Sequence, residues 1–376
     1  MGSWKQGDLF TDDEAVAAAV VQIFEPARLT QARVLKAMTK RELAVAVGVS
    51  PTAIGQYEAE VTTPRPDTLA QIARVLRQDV AFFSQGRPLQ RVDSGSAYFR
   101  SLRSLRAADR DLALVSAEQI WELTCALERY VQLPAADLPD VAPGAGARQA
   151  AQSLRKHWQL PARPVGHLVA LMEAHGVIVV LAEETGHIDR VDAFSTVVAD
   201  RPIVMSTPRR SNSVFRHRFT CAHELGHLVL HHDRQSGDAL LEREADEFAA
   251  EFLTPSAEMG SLLPKRMDFA ALHRLSQTWG VSMESLVRRM GELRMVSDVT
   301  IRRAYVRLNA LRAVENQESV YSYAGEVPRL LRDALQLAGT VGADVHHLAR
   351  DLRWRVGRVR ELLGMEDPRP VLHLLT

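Results

Sequence analysis

The chain has 376 residues, of which 46% are hydrophobic, enough for two or three domains with real cores and too apolar for a disordered chain. Lys plus Arg equal Asp plus Glu at 46 each, which excludes a whole-molecule electrostatic commitment to nucleic acid or membrane, so any DNA-binding charge must be local. The two cysteines, Cys125 and Cys221, form no CxxC pair; this excludes a cysteine-built zinc finger and a disulfide framework and points to a reducing, cytoplasmic compartment.

Residues 1–26 read as an N-terminal extension with acids before a short apolar run and no basic n-region, unlike a signal peptide. No stretch approaches the roughly 18 uninterrupted apolar residues of a spanning helix, so no membrane partner is expected. Short helical patterns follow from Leu29 to Leu76. Within them "TKRELAVAVGVSPTAIGQYE" has the marks of two helices meeting at a sharp angle. Ala44 is small where the helices cross, Gly48 permits the turn, and Val49, Ile54 and Tyr57 are placed to fill the shared core. Ser50 and Pro51 make an N-cap and first-turn pair. Thr52, Ala53 and Gln56 then face outward, where Gln pairs with adenine and Thr or Ala touches a thymine methyl. With Lys40, Arg41 and Ser50 they are the candidate DNA-contacting residues. Between Ala27 and Val80 eight basic residues face five acids, a net charge suited to one half-site, so a homodimer on a palindromic operator is expected. A helical protein-docking module with the same core pattern is the alternative.

A longer amphipathic helical run extends from about Tyr98 to Val131, and no strand signal appears in this front third. "QLPAADLPDVAPGAGA", residues 132–147, packs prolines and glycines as inter-domain linkers do. Beyond it a helix-like segment (164–175) ends before Gly176, and "GVIVVLA", "VDAFSTVVAD" and "RPIVMST" follow as β-branched runs, with Asp200 and Arg201 as a hairpin turn. Helices resume from Ser213 to about Leu293. This order predicts an α+β domain with a small antiparallel sheet. "RPIVMST" is a candidate edge for pairing with an extended peptide.

"RFTCAHELGHLVLHH" carries HExxH. On a helix His223 and His227 lie one turn apart on one face, so two imidazoles reach one metal ion, and Glu224 stands beside them to take a proton from a metal-bound water. A catalytic zinc needs a third protein ligand and an open position. In "LEREADEFAAEFLTP" the apolar Ala245, Ala249, Phe252 and Leu253 fall within about 80° of Glu242 at 100° per residue, whereas Glu244, Glu247 and Glu251 fall opposite, on an expected solvated face. Glu242 is therefore the candidate third ligand, and Asp246, one turn on, is placed to accept the other N–H of a ligand histidine. Zinc at His223, His227 and Glu242 with Glu224 as acid/base implies peptide hydrolysis. His231 lies near the Glu224 side, as an oxyanion stabiliser or, more simply, a polar rim residue; His217 and His232 carry the same two readings, and Cys221 reads as core.

These motifs resemble two families. Residues 29–83 are similar to the Xre/Cro/lambda-repressor class of helix-turn-helix domains, with Ala44, Gly48 and Ile54 at that class's spacing. Residues 148–294 resemble the ImmA/IrrE metallopeptidases through "FRHRFTCAHELGHLVLHH" and "EREADEFAAEFLTP"; "FLTP" stands where Leu-Met-Pro is more usual. The resemblance implies a zincin-like fold, zinc at His223, His227 and Glu242, and Glu224 as catalytic acid/base. It further implies site-specific endopeptidase action on transcriptional repressors in stress and mobile-element responses. Many such peptidases are fused to an Xre domain.

The expected architecture is thus multidomain: an all-α helix-turn-helix bundle (27–84), a helical connector with the Pro-rich linker (85–147), an α+β peptidase domain (148–295) and an α-helical C-terminal region (296–376). From Ile301 onward twelve arginines face nine acids, too balanced to assign DNA binding, although "RDALQLAGTVGADVHHLARDLRWRVGRVRELLG" faintly resembles a second helix-turn-helix. His346 and His347 read as surface residues. The expected function is a DNA-docked regulator whose peptidase cleaves a partner, a repressor or antitoxin, with the Pro-rich linker as a candidate self-cleavage site. The alternatives are a non-proteolytic transcription factor whose metallopeptidase-like domain senses a ligand or metal, and one half of a toxin–antitoxin pair.

Overall fold

The structure is a computed structural model that describes residues 8–92, 97–99, 106–142, 144–181, 193–207, 213–231, 239–312 and 319–365. The chain forms two compact units that are not collinear with sequence: residues 1–92, 106–132 and 331–376 make one, and residues 93–105 and 133–330 make the other.

The first unit opens with α1 (Asp8–Val21), α2 (Pro26–Leu35), α3 (Lys40–Val47), α4 (Pro51–Glu58) and α5 (Pro66–Leu76). Their boundaries follow from local chemistry. Thr39 and Glu42 form a reciprocal capping box at the start of α3, Gly48 ends it at φ 79°, and the Ser50 hydroxyl accepts from the Ala53 amide at 3.1 Å to open α4. Leu29, Leu43, Ala44, Ile54, Leu69 and Ile72 are fully buried between these helices. Val49 and Tyr57, expected in that core, are only half-buried.

The connector helix α6 (Ala107–Glu128) belongs to this unit. It is buried around most of its circumference, and a polar node ties it to α2. The Arg28 guanidinium pairs with Glu122, each about 1% exposed, and donates to Gln31, which in turn donates to Glu118 at 2.7 Å. Burial pushes the Glu122 carboxyl up, against the opposing pull of Arg28 and Arg87.

The C-terminal helices α15 (Leu330–Gly339), α16 (Val345–Leu352) and α17 (Val356–Leu362) follow a pattern of turn conformations and buried positions similar to that of α2–α4. Ala37 (φ 53°) and Gly342 (φ 89°) are left-handed before the middle helix of each set. Thr39 and Asp344 cap that helix, and each middle helix has eight residues. Gly48 and Arg353 are left-handed after it, and the next amides, Val49 and Trp354, bond back to the carbonyls of Ala44 and Ala349. Leu348, Ala349, Leu352 and Val359 take the buried places of Leu43, Ala44, Val47 and Ile54. This copy packs on its own unit: Arg358 donates to Gln119 of α6 at 2.8 Å, and Arg353 reaches Ser84 and the Gln85 carbonyl. His347, expected as a plain surface residue, sits between Tyr130 and Asp351.

The second unit holds β1 (Ala97–Phe99), α7 (Ala147–His157), α8 (Leu168–Ala174), β2 (Ile178–Leu181), β3 (Ala193–Val198), β4 (Arg201–Ser206), α9 (Val214–Leu230), α10 (Ala239–Leu253), α11 (Ser256–Leu262), α12 (Phe269–Trp279), α13 (Met283–Glu292) and α14 (Asp298–Arg312). The sheet order is β1-β3-β4-β2. β3 and β4 form an antiparallel hairpin turned by Ala199 and Asp200, both at positive φ, but β2 pairs with β4 in parallel. The sheet is therefore mixed, and β4 is an interior strand rather than the expected edge. A strand also occurs where none was expected: β1 pairs antiparallel with β3.

The Pro-rich stretch is not a free linker. The Asp137 amide donates to the His175 carbonyl, the Trp158 indole donates to the Asp137 carbonyl at 2.8 Å, and the Asp137 carboxylate engages His157 and His175. These two imidazoles hold the Asp137 carboxyl below its ordinary range. Near the end of the unit, Glu326 accepts from the Leu168 and Val169 amides at the start of α8 and pairs with Arg218.

Candidate metal centre and nucleic-acid interface

α9 is buried on nearly every side, which its apolar sequence around HELGH dictates, and α10 lies directly against it. Gly226 permits that approach, since a Cβ there would stand 2.9 Å from the Phe248 ring. The contact brings Glu242 over the two histidines. His223 Nε2 and His227 Nε2 are 3.1 Å apart, and the Glu242 carboxylate oxygens stand 3.5 and 3.4 Å from them. One atom from each residue falls within a common 4.8 Å, a two-imidazole, one-carboxylate set that suits a zinc ion with a position left for water. Burial raises the Glu242 carboxyl, but hydrogen bonds and charge from His223 and His227 outweigh it and bring the pKa to about 2. Burial likewise pushes the His227 imidazole down. The lowered imidazole is the neutral form that ligates a metal.

The residues around this set divide into those the sequence pointed to and those it did not. Asp246 Oδ1 is 2.9 Å from His223 Nδ1, as the helical spacing suggested. Glu224 is fully buried on the same helix, and the Ser195 hydroxyl on β3 donates to its carboxylate at 2.7 Å. No local pattern pointed to Ser195, because only the strand packing brings it there. His231 corrects both of its readings. It is fully buried, its Nδ1 is 2.9 Å from His227 Nδ1 and its Nε2 is 3.0 Å from Glu244, so it stands behind a candidate ligand instead of facing a substrate. Glu244 is therefore engaged rather than simply solvated. Glu251 is wholly buried against Arg289, Gln152 and Ser256; α10 packs on both sides, so assigning it one buried face fails at this residue. Glu247 alone of the three keeps a substantially exposed side chain, paired with Arg148. Cys221 and His217 are core residues with no solvent exposure, and His232 lies outside the described residues.

On the first unit, Arg41, Thr52 and Gln56 are exposed and Ala53 is half-buried on the α3–α4 turn. Lys40 is exposed but its ammonium lies 3.2 Å from Glu58, which also pairs with Arg33. The Ser50 hydroxyl is committed to its cap.

Residues 29–83 match the helix-turn-helix family, and residues 172–290 match the IrrE N-terminal-like domain. A helix-turn-helix domain is fused here to an ImmA/IrrE-type, metallopeptidase-like domain. The matched peptidase segment contains β2–β4, α9 and α10, and hence every residue of the candidate metal set. Comparison with curated proteins gave no match. Among the described residues no helix is long and apolar enough to cross a membrane.

Proposed function

We propose that this DNA-binding regulator is a zinc-dependent endopeptidase that docks at an operator through α3 and α4 and hydrolyses a peptide bond in a partner regulator, a repressor or antitoxin. Its setting is a cytoplasmic stress or mobile-element response. The observation that carries this reading is the convergence of His223, His227 and Glu242 beside a fully buried Glu224 on the same helix. A purely structural metal site has no use for that second acid.

Zinc held by His223, His227 and Glu242 would supply Lewis acidity and lower the pKa of water at the site. Glu224 takes the proton from the attacking water and passes it to the leaving amine. Ser195, by donating to the Glu224 carboxylate, fixes that group's orientation. Asp246 and His231 hold the two imidazoles in the tautomer whose Nε2 lone pair points toward Glu242.

On the DNA side, Arg41, Thr52, Ala53 and Gln56 form the reading surface and Lys40 its flank, with two copies of the chain on a palindrome. The deciding experiment incubates zinc-loaded wild type and Glu224→Gln with Xre-type repressors and small products of neighbouring genes, and reads intact mass. A cut made by wild type alone is expected. Stoichiometric zinc with no cut by either protein would leave a metal-sensing transcription factor.

A further inference from the structure

We infer that residues 97–99 occupy, in cis, the strand position that a peptide takes beside the candidate acid/base, so that the peptidase unit is self-covered and its substrates are extended segments that displace β1 from β3. The substrate half of this inference rests on the peptidase reading above; the occupancy half does not.

The register places the occupant. β3 delivers Ser195 to Glu224, and the residue of β1 directly opposite Ser195 is Tyr98, with Ala97 opposite Thr196 and Phe99 opposite Phe194. The backbone of β1 therefore runs one strand spacing, about 4.8 Å, from the residue that touches Glu224. On its other side β3 is paired with β4, and β4 with β2. With β1 removed, β3 becomes an open edge at the candidate centre, and the far edge, β2, has two strands between it and that place. An extended peptide adding to this edge gains main-chain hydrogen bonds along the strand that carries Ser195.

The chain's path marks β1 as an occupant rather than a framework strand. It has three residues, too few ladder bonds at about 0.5–1.5 kcal/mol each to hold it firmly. The described chain on either side, up to Val92 and from Arg106, belongs to the first unit, whereas Ala97–Phe99 belongs to the second. Covalent attachment supplies what the bonds lack, because a tethered segment acts at an effective concentration on the order of millimolar. A free peptide must outcompete that. The occupant's sequence, Ser-Ala-Tyr-Phe-Arg at 96–100, gives the ligand class: an extended, proline-free segment with small residues leading into an aromatic pair.

The test uses a fluorescein-labelled peptide of residues 94–102 and three full-length proteins: wild type, Tyr98→Pro and the double variant Ala97→Pro with Phe99→Pro. Residues of an antiparallel ladder alternate between bonded and non-bonded pairs, so one of the two variants removes every amide that β1 donates to β3. That variant is expected to bind the peptide at least about tenfold more tightly than wild type, the in-cis competitor being gone. Its β3 amides, 193–198, should exchange faster alone and slow again with peptide. Equal binding by all three proteins, with the far-ultraviolet spectrum of wild type retained, would overturn the inference. Should the variants not fold, hydrogen exchange on wild type decides: excess peptide must deprotect 97–99 while β3 stays protected, and unchanged exchange at 97–99 overturns it. Tighter binding without cleavage by any of the proteins upholds the occupancy and counts against the peptidase reading, so the two fail separately.

Discussion

The Nδ1 atoms of His227 and His231 lie 2.9 Å apart. Two ring N–H groups cannot face each other at that distance, so one ring donates and the other accepts. With His227 presenting its Nε2 lone pair toward Glu242, its proton sits on Nδ1; His231 accepts it and carries its own proton on Nε2, 3.0 Å from Glu244. Asp246 performs the same service for His223 directly. Both candidate ligands are thus oriented by a carboxylate, one of them through a relay.

Glu244→Gln and His231→Phe are accordingly expected to weaken zinc binding by about 10- to 100-fold, the usual cost of disturbing a hydrogen bond behind a metal ligand. Competition with a chromophoric chelator measures this without any need for catalysis. Glu247→Gln, on the same helix but paired outward with Arg148, serves as the control and should leave affinity unchanged. Equal affinity in all three variants would remove the relay.

Ser195→Ala is expected to lower kcat by roughly tenfold and leave KM nearly unchanged, because the serine positions Glu224 and holds no substrate. Ser195→Thr retains the hydroxyl and should recover most of the rate if the strand accommodates its methyl. A fall in zinc content, or a change confined to KM, would assign Ser195 a different role.

How much of this was legible depended on the range of the interaction involved. His223, Glu224 and His227 share one helix, so a 100° step places them without knowledge of the fold. Glu242 and Asp246 required only that α10 bury a face. The same assumption failed for Glu251, since α10 is covered by α7 and α13 as well as α9, and a lone helix carries no signature of a second neighbour. Ser195 depends on β3 crossing α9, and β1 on three residues too short to show alternation. The parallel pairing of β2 with β4 depends on which strand the hairpin inserts beside. The likeness of α15–α17 to α2–α4 was only faintly visible because Arg353 stands where Gly48 marks the first turn, although both adopt the left-handed conformation.

The buried pair of Arg28 and Glu122 makes the helix-turn-helix dependent on α6. Arg28→Met leaves the buried Glu122 carboxylate with Arg87 alone, 3.3 Å away, and takes a donor from Gln31, so about 3 kcal/mol of stability should be lost from this unit. Hydrogen exchange in α2 and α6 reports the loss, which operator affinity should follow. The double variant Arg28→Met with Glu122→Leu should recover only part of it, since Arg87 then loses the carboxylate it pairs with. An isolated fragment of residues 27–92 exposes the α2 face that α6 covers and is expected to melt below the intact protein.

His217 provides the pH test. It has no solvent exposure, its Nε2 lies 3.2 Å from the Glu326 carbonyl, and burial pulls its pKa down to about 4, with the Glu326 hydrogen bond opposing and the Arg218 charge adding to the fall. The unfolded chain takes this proton near the ordinary value of about 6.5, before the folded chain does. Stability contributed by the neutral imidazole is therefore complete above that value, declines as the pH falls and is gone below about 4. The difference across the window is on the order of 3 kcal/mol. Burial also lowers the candidate ligand His227, so the measurement compares wild type with His217→Gln, both stripped of metal, and reads denaturant unfolding of the second unit at each pH. Contributions common to both proteins cancel. Wild type should lose more stability than the variant between pH 6.5 and 4, and parallel curves would mean that His217 is already protonated in the folded protein.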